Sequence, residues 1–417
     1  MQISEIRPGL LLATEQLPFV RSAALGFWVR SGVGYEPAKW QGVSHFLEHL
    51  VFKGTASRSA REISESFDDI GGEVNAYTAK EYTCFYCKVV DEHLPKALEI
   101  LADMVCHARL DNDDVNKERN VILEEVGMYE DSPEEYVHDL LARAIWPELS
   151  LGRAILGTRE TLLGLSSKEL RQYYQEHYCA DNMVIAAAGS IQHEQLALLL
   201  SNCLQLEQGA QSVMPVYGGS EPGDPILIER STEQLHLTLG LPGLALSDDR
   251  LYAWNLLNNV FGSGMSSRLF QRLREEHALV YSAYSYTASF QQAGYSAIYL
   301  GLAPKNLAKA MQLISQEITS LCQECVSSEE LQRAKAQVKG ALIMGLESTA
   351  NHMSRMGRGL LMMGRVQEIE QIVNRIEAVT AGDLRQLANQ LFDRQSLAAA
   401  GVGNVQQVPK LLANFTW

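Results

Sequence analysis

GVSHFLEHLVFKGT, residues 42–55, decides the reading of this chain, because it places His45, Glu48 and His49 in the order H-x-x-E-H. A helix repeats every 3.6 residues, so positions i, i+3 and i+4 share one face. On a helix, His45 and His49 both aim an imidazole at one point, with Glu48 beside them. Phe46, Leu47 and Leu50 are apolar and suit burial of the same helix in a core. Two histidines do not complete a catalytic zinc site, which takes three protein ligands and keeps a further position open. The third is sought in ERNVILEEVGMYEDSP, residues 118–133, where Glu125 follows His49 by 76 residues. Glu118 lies seven residues before Glu125, two helical turns away and on one face with it. Asp113 and Asp114 suit a helix start, and Val115, Val121, Ile122 and Val126 are expected as its apolar positions. Glu124 is the rival of Glu125, but a shift of one residue turns a side chain by about 100°. The bland alternative is a pair of core histidines with an exposed Glu48.

With these stretches in place, the chain resembles the pitrilysin-type (inverzincin) zinc metallopeptidases, and within them a short bacterial-type member of the mitochondrial processing peptidase group. The resemblance extends through GGEVNAYTAKEYT (71–83), LGRAILGT (151–158), HYCADNMVIAAAG (177–189) and SSRLFQRLREEHALVYSAYS (266–285). It implies one zinc per chain on His45, His49 and Glu125, with Glu48 as general base and Glu118 supporting the site without ligating. It implies that Asn75 and Ala76 receive an extended substrate through main-chain hydrogen bonds. Arg274 and Tyr281, seven residues apart, would reach the site from the far side of a chamber, and Phe270 joins them as a substrate contact. The implied activity is zinc-dependent endopeptidase action on peptides or unstructured segments. The alternative is a non-catalytic, peptide-binding partner subunit of a peptidase complex, but such subunits usually lose the motif groups, and this chain retains all of them. Full-length family members carry four α/β units and this chain carries two, so a clamshell chamber implies dimerisation, most simply as a homodimer.

The 417 residues exceed a single core. Hydrophobic content of 46% with 20% charged residues is ordinary for a globular soluble protein. A net charge of −15 argues against nucleic acid as a partner. MQISEIRPGLLLATEQLP at the start reads as strand and turn, with no basic segment leading into an apolar one. No stretch reaches the roughly 18 apolar residues of a membrane span. Seven cysteines, an odd number without small-scaffold spacing, point to reduced thiols in a cytoplasmic protein. Cys84 and Cys87 sit in a strand-like run where residues three apart face opposite sides, a poor metal pair. Cys322 and Cys325 have no second pair nearby.

The chain divides into two halves of similar plan, 1–215 bearing the metal motif and 216–417 completing the chamber, with a turn-rich linker at 211–219. Alternating runs such as AALGFWVRSG and YSAIYLGL are strands, and LPKALEILADMV and LAKAMQLISQEI are helices. Their order predicts an α+β fold of two homologous halves with largely antiparallel sheets. GVSHFLEH from Gly42 aligns with GMSSRLFQ from Gly264, setting Ser267, Phe270 and Gln271 against His45, Glu48 and His49. The helix from Asp113 aligns with that from Glu329, setting Ala334 and Ala341 against Glu118 and Glu125. The expectation is a duplication whose second copy has lost its metal groups.

Overall fold

The computed structural model describes residues 1–204, 206–214 and 221–417. Most of the expected linker, and with it the boundary at 215/216, lies outside the described residues. The chain forms two compact units, Met1–Gly127 with Arg153–Pro215 and Gly345–Val366, and Met128–Gly152 with Val216–Met344 and Gln367–Trp417.

The first unit is built on strands β1 (Gln2–Arg7), β2 (Leu10–Gln16), β3 (Ser22–Val29), β4 (Glu73–Thr78), β5 (Thr83–Val90) and β6 (Met183–Gly189). They lie in the order β1-β2-β6-β3-β5-β4. All neighbours are antiparallel except β2 and β6. The second unit has β7 (Ile226–Glu229), β8 (Leu235–Pro242), β9 (Val280–Ser289), β10 (Gly294–Leu302) and β11 (Ala398–Gly403), in the order β7-β11-β8-β10-β9. Again only one pair, β7 and β11, is parallel. The order β2-β6-β3-β5-β4 is therefore repeated strand for strand, with its parallel pair in the same place. The fold is α+β with two homologous halves, as the alternating pattern predicted.

Helices of the first repeat are α1 (Val43–Val51), α2 (Ala60–Asp68), α3 (Leu94–Cys106), α4 (Asn112–Glu130), α5 (Pro133–Ile145), α6 (Arg159–Gly164), α7 (Ser167–His177) and α8 (His193–Cys203). Those of the second are α9 (Leu251–Gly262), α10 (Leu307–Gln323), α11 (Ser328–Gly345), α12 (Thr349–Met363), α13 (Ile369–Ala378), α14 (Ala381–Leu391) and α15 (Val408–Ala413). The residues of β3 and β6 are buried along almost their whole length. Such continuous apolar runs belong to strands covered on both faces.

The covering helices correct the expected boundaries. The halves are not contiguous at 215/216, because each lends one helix to the other's sheet. Helix α5 packs Val137, Leu140, Leu141 and Ala144 against Tyr299, Ala398, Ala400 and Val402 of the second sheet. Helix α12 lies on β2, β3 and β6 of the first. At Gly357 it approaches so closely that a Cβ there would fall 2.1 Å from Trp28 Nε1. An amphipathic pattern shows that a helix buries a face but does not say which sheet receives it.

The expected internal alignment also needs correction. Residues 264–276 lead directly into β9, as α2 leads into β4, so Ser267, Phe270 and Gln271 are not counterparts of His45, Glu48 and His49. The helix in the α1 position is α9, LYAWNLLNNVFG, which carries no histidine or acidic residue. The second alignment agrees with the element order: α4 and α11 each follow the helix after the fourth strand of their repeat, leaving Ala334 at the Glu118 position.

Among the described residues no helix is long and apolar enough to cross a membrane. All seven cysteines are free. Cys84 and Cys87 are both buried in β5, and burial pushes the Cys87 thiol up to about 12.

Candidate active site

Helix α1 begins at Gly42, whose φ of +90° is the left-handed conformation glycine adopts without strain. The buried Glu36 carboxylate accepts from the backbone N–H groups of Gly42 at 2.8 Å and Ser44 at 2.9 Å. It thereby satisfies donors that a helix start leaves free. Val43, Phe46, Leu47, Leu50 and Val51 are buried and fix the rotation of the helix. His45 and His49 then stand side by side, ring centroids 4.7 Å apart.

Glu125, from α4, closes the group. Its Oε2 lies 3.8 Å from His45 Nε2 and 3.6 Å from His49 Nε2. One ligand atom from each of the three residues falls within 4.8 Å of the others. Tetrahedral zinc with ligands near 2.0–2.1 Å has ligand-to-ligand edges of about 3.3 Å, and the two edges from Glu125 to the imidazoles are already near that length. The donor set, two imidazoles and a carboxylate, suits zinc with a position left open. His45 is 7% exposed, and its Nδ1 has no hydrogen-bond partner among the described residues. A histidine serving only as a core residue would be satisfied. Burial first, and His49 second, hold the His45 imidazole down to about 3, so it is neutral and able to ligate near neutral pH. Glu124 is on the exposed face of α4.

Glu118 stands behind His49. Its Oε2 is 3.2 Å from His49 Nδ1, and its Oε1 is 2.8 Å from Lys53 Nζ. A buried carboxylate hydrogen-bonded to the far nitrogen of a ligand imidazole fixes tautomer and ring orientation. Of the expected apolar positions of α4, Val115, Ile122 and Val126 are buried, but Val121 is exposed. It lies on the flank of the helix turned away from the core.

Glu48 is half-buried and accepts a hydrogen bond from Thr78 Oγ1 at 2.5 Å. Burial pushes its carboxyl up from the ordinary value, against the opposing effects of Thr78 and His49. Thr78 ends β4, the edge strand that also carries Asn75 and Ala76. Asn75 is exposed, and its Oδ1 accepts from the Ala76 N–H at 2.8 Å. In the second unit, Phe270 and Arg274 share a π-helical turn, Phe270–Glu276, with the guanidinium 5.1 Å from the Phe270 ring centre. Tyr281 is 64% exposed on β9, the edge strand equivalent to β4.

Sequence reasoning missed three residues here: Thr78, Lys53 and Glu36. Thr78 and Lys53 lie within the stretches already singled out, but their partners are set by tertiary contacts.

The family model described as Insulinase (Peptidase family M16) matches residues 11–159, which include this whole group. A second, Peptidase M16 inactive domain, matches residues 164–338. The chain belongs to peptidase family M16. An uncharacterised zinc protease of Bacillus subtilis, YmxG, is 42% identical over 92% of this chain and 94% of its own length. One from Streptomyces coelicolor is 39% identical over 97% of this chain and 90% of its own. Among solved structures, a protease from Helicobacter pylori superposes with a TM-score of 0.90 at 20% identity, covering 96% of this chain and 98% of that one. A chain of complex III2 from Candida albicans gives 0.85 at 21% identity, covering 98% of each. At these identities the likeness speaks for the fold alone.

Proposed function

We propose that this chain is a zinc endopeptidase that hydrolyses peptides or unstructured polypeptide segments, with one zinc on His45, His49 and Glu125 of each chain. The observation that carries the reading is the convergence of these three side chains within 4.8 Å, with the unligated Glu48 beside them. Zinc in such a site polarises a scissile carbonyl and acidifies water. Glu48 takes the proton from the attacking water and delivers it to the leaving amine, and a carboxyl raised by burial is suited to both steps. Glu118 holds the His49 ring. The free edge of β4 takes an extended peptide as an added strand through main-chain groups near Asn75 and Ala76.

Arg274, Tyr281 and Phe270 complete the site of a second copy in a homodimer, where Arg274 and Tyr281 stabilise the developing oxyanion. Exposure of Arg274 and Tyr281 supports this role. Seven free cysteines favour a cytoplasmic location. The inactive-domain match does not favour a non-catalytic subunit, because residues 164–338 exclude the metal group.

The test is Glu48→Gln, assayed with a fluorogenic peptide and by metal analysis. The variant is expected to hold zinc and to lose at least about 10²-fold in rate. Near-normal turnover would remove Glu48 from the mechanism, and a wild-type chain that binds no zinc would end the proposal.

A further inference from the structure

We propose that Thr78 is a positioning residue that ties the Glu48 carboxylate to the strand that docks substrate, so that an extended peptide seated on β4 fixes the direction of the base. This rests on the peptidase reading above.

A threonine hydroxyl has one hydrogen to donate. Thr78 Oγ1 is 2.5 Å from Glu48 Oε2 and 3.4 Å from Thr83 Oγ1. Thr83, opposite it on β5, donates to the Ser31 carbonyl at 2.7 Å. The Thr83 hydrogen is therefore committed inward, to a fully buried acceptor. The Thr78 hydrogen goes to the carboxylate. A hydrogen bond to a charged acceptor is among the stronger kinds and carries direction as well as energy.

The strand supplies the rest. Along β4, Glu73, Asn75 and Tyr77 are exposed, while Val74, Ala76 and Thr78 alternate with them and are half-buried. The inner edge of β4 pairs with β5 and its outer edge is open. The main-chain groups at Ala76, whose N–H an added strand would take over from Asn75 Oδ1, lie two residues from Thr78 on the same short element. Ordering residues 75–76 orders residue 78, and through its hydroxyl the base. The linkage acts after substrate has docked, so it belongs to turnover and not to affinity.

The experiment compares the zinc-loaded wild-type chain with Thr78→Val, which keeps shape and β-branching but has no hydroxyl, and Thr78→Ser, which keeps the donor. Turnover of an extended fluorogenic peptide, zinc per chain, melting temperature and peptide affinity by fluorescence anisotropy are measured on each. Thr78→Val is expected to lose roughly 10- to 100-fold in kcat, the range for one hydrogen bond to a charged group. Its KM, peptide affinity and zinc content should stay within about twofold of wild type, and Thr78→Ser should recover most of kcat. The inference is overturned if Thr78→Val keeps its kcat, if KM changes in place of kcat, or if the serine variant is as impaired as the valine one. Should Thr78→Val not fold, Thr78→Ala against Thr78→Ser makes the same comparison. A wild-type chain that cleaves no peptide would instead defeat the peptidase reading, and this inference with it.

Discussion

Gly42 and Gly157 meet backbone to backbone: a Cβ built on either would lie 2.9 Å from the Cα of the other. Both have positive φ, +90° and +81°. The contact seats the start of α1 against the segment leading into α6. There Thr161 Oγ1 also donates to the Gln41 carbonyl at 2.8 Å. Gly157→Ala is expected to lower the unfolding free energy by at least about 1–3 kcal/mol, from backbone strain alone. Urea unfolding of the two proteins measures it. An alanine variant as stable as wild type would show that the backbones part at little cost.

Metal content separates ligands from supports. His49→Ala and Glu125→Ala are expected to bind no stoichiometric zinc. Glu118→Gln should bind one zinc per chain at saturation, but about 10- to 100-fold more weakly in chelator competition, the usual effect of losing a partner behind a ligand histidine. Removing zinc with chelator should lower the melting temperature of wild type and leave that of His49→Ala unchanged. Stoichiometric, tightly held zinc in His49→Ala would exclude this site.

Subunit exchange tests the shared site. Glu48→Gln and Arg274→Ala are each expected to be inactive. If Arg274 serves the neighbour's site, mixing the two and allowing exchange restores at most about half of wild-type activity, because a heterodimer then holds one site with both groups intact. Silence after exchange has been confirmed by labelling would place Arg274 within its own chain's site or outside catalysis.

Glu15 gives a pH dependence far from the metal group. Its carboxylate accepts from His352 Nδ1 at 2.8 Å and Arg355 at 2.9 Å, pinning α12 to β2. Burial alone would raise its pKa, but the hydrogen bonds and charges of His352 and Arg355 outweigh burial and hold it below its ordinary 4.5. A value lower in the folded state gives stability that is present above pH 4.5 and lost as the pH falls from there through the folded-state value. The melting temperature of wild type should therefore exceed that of Glu15→Gln near neutrality, with a gap that narrows below pH 4.5. A gap independent of pH would assign Glu15 a packing role only.

Much of the site was legible because its chemistry is local. The i, i+4 spacing of His45 and His49, and the seven-residue step from Glu118 to Glu125, are properties of a helix surface and need no tertiary knowledge. Thr78 was not legible, since a threonine in a strand announces nothing about which carboxylate it will meet. The fold class followed from alternating apolar runs, yet the ownership of α5 and α12 did not. Both are amphipathic, and both could equally have covered the nearer sheet. The alignment of residues 264–271 with α1 failed for a related reason. A glycine followed by serine and apolar residues can start either of two successive helices, and only the strand order distinguishes them.

The trade of α5 for α12 has a consequence for ancestry. Once each repeat had lent a helix to its sibling, neither could be deleted or inherited alone, because the survivor would keep a sheet with one bare face and a helix with nothing to cover. The second repeat is therefore retained as a scaffold component even where it contributes no metal-binding group. The positions that face α5 or supply α12 are thereby held in place, in addition to the repeat's own buried core. Expressed as separate pieces, the two repeats should each misfold, and only co-expression should rescue them.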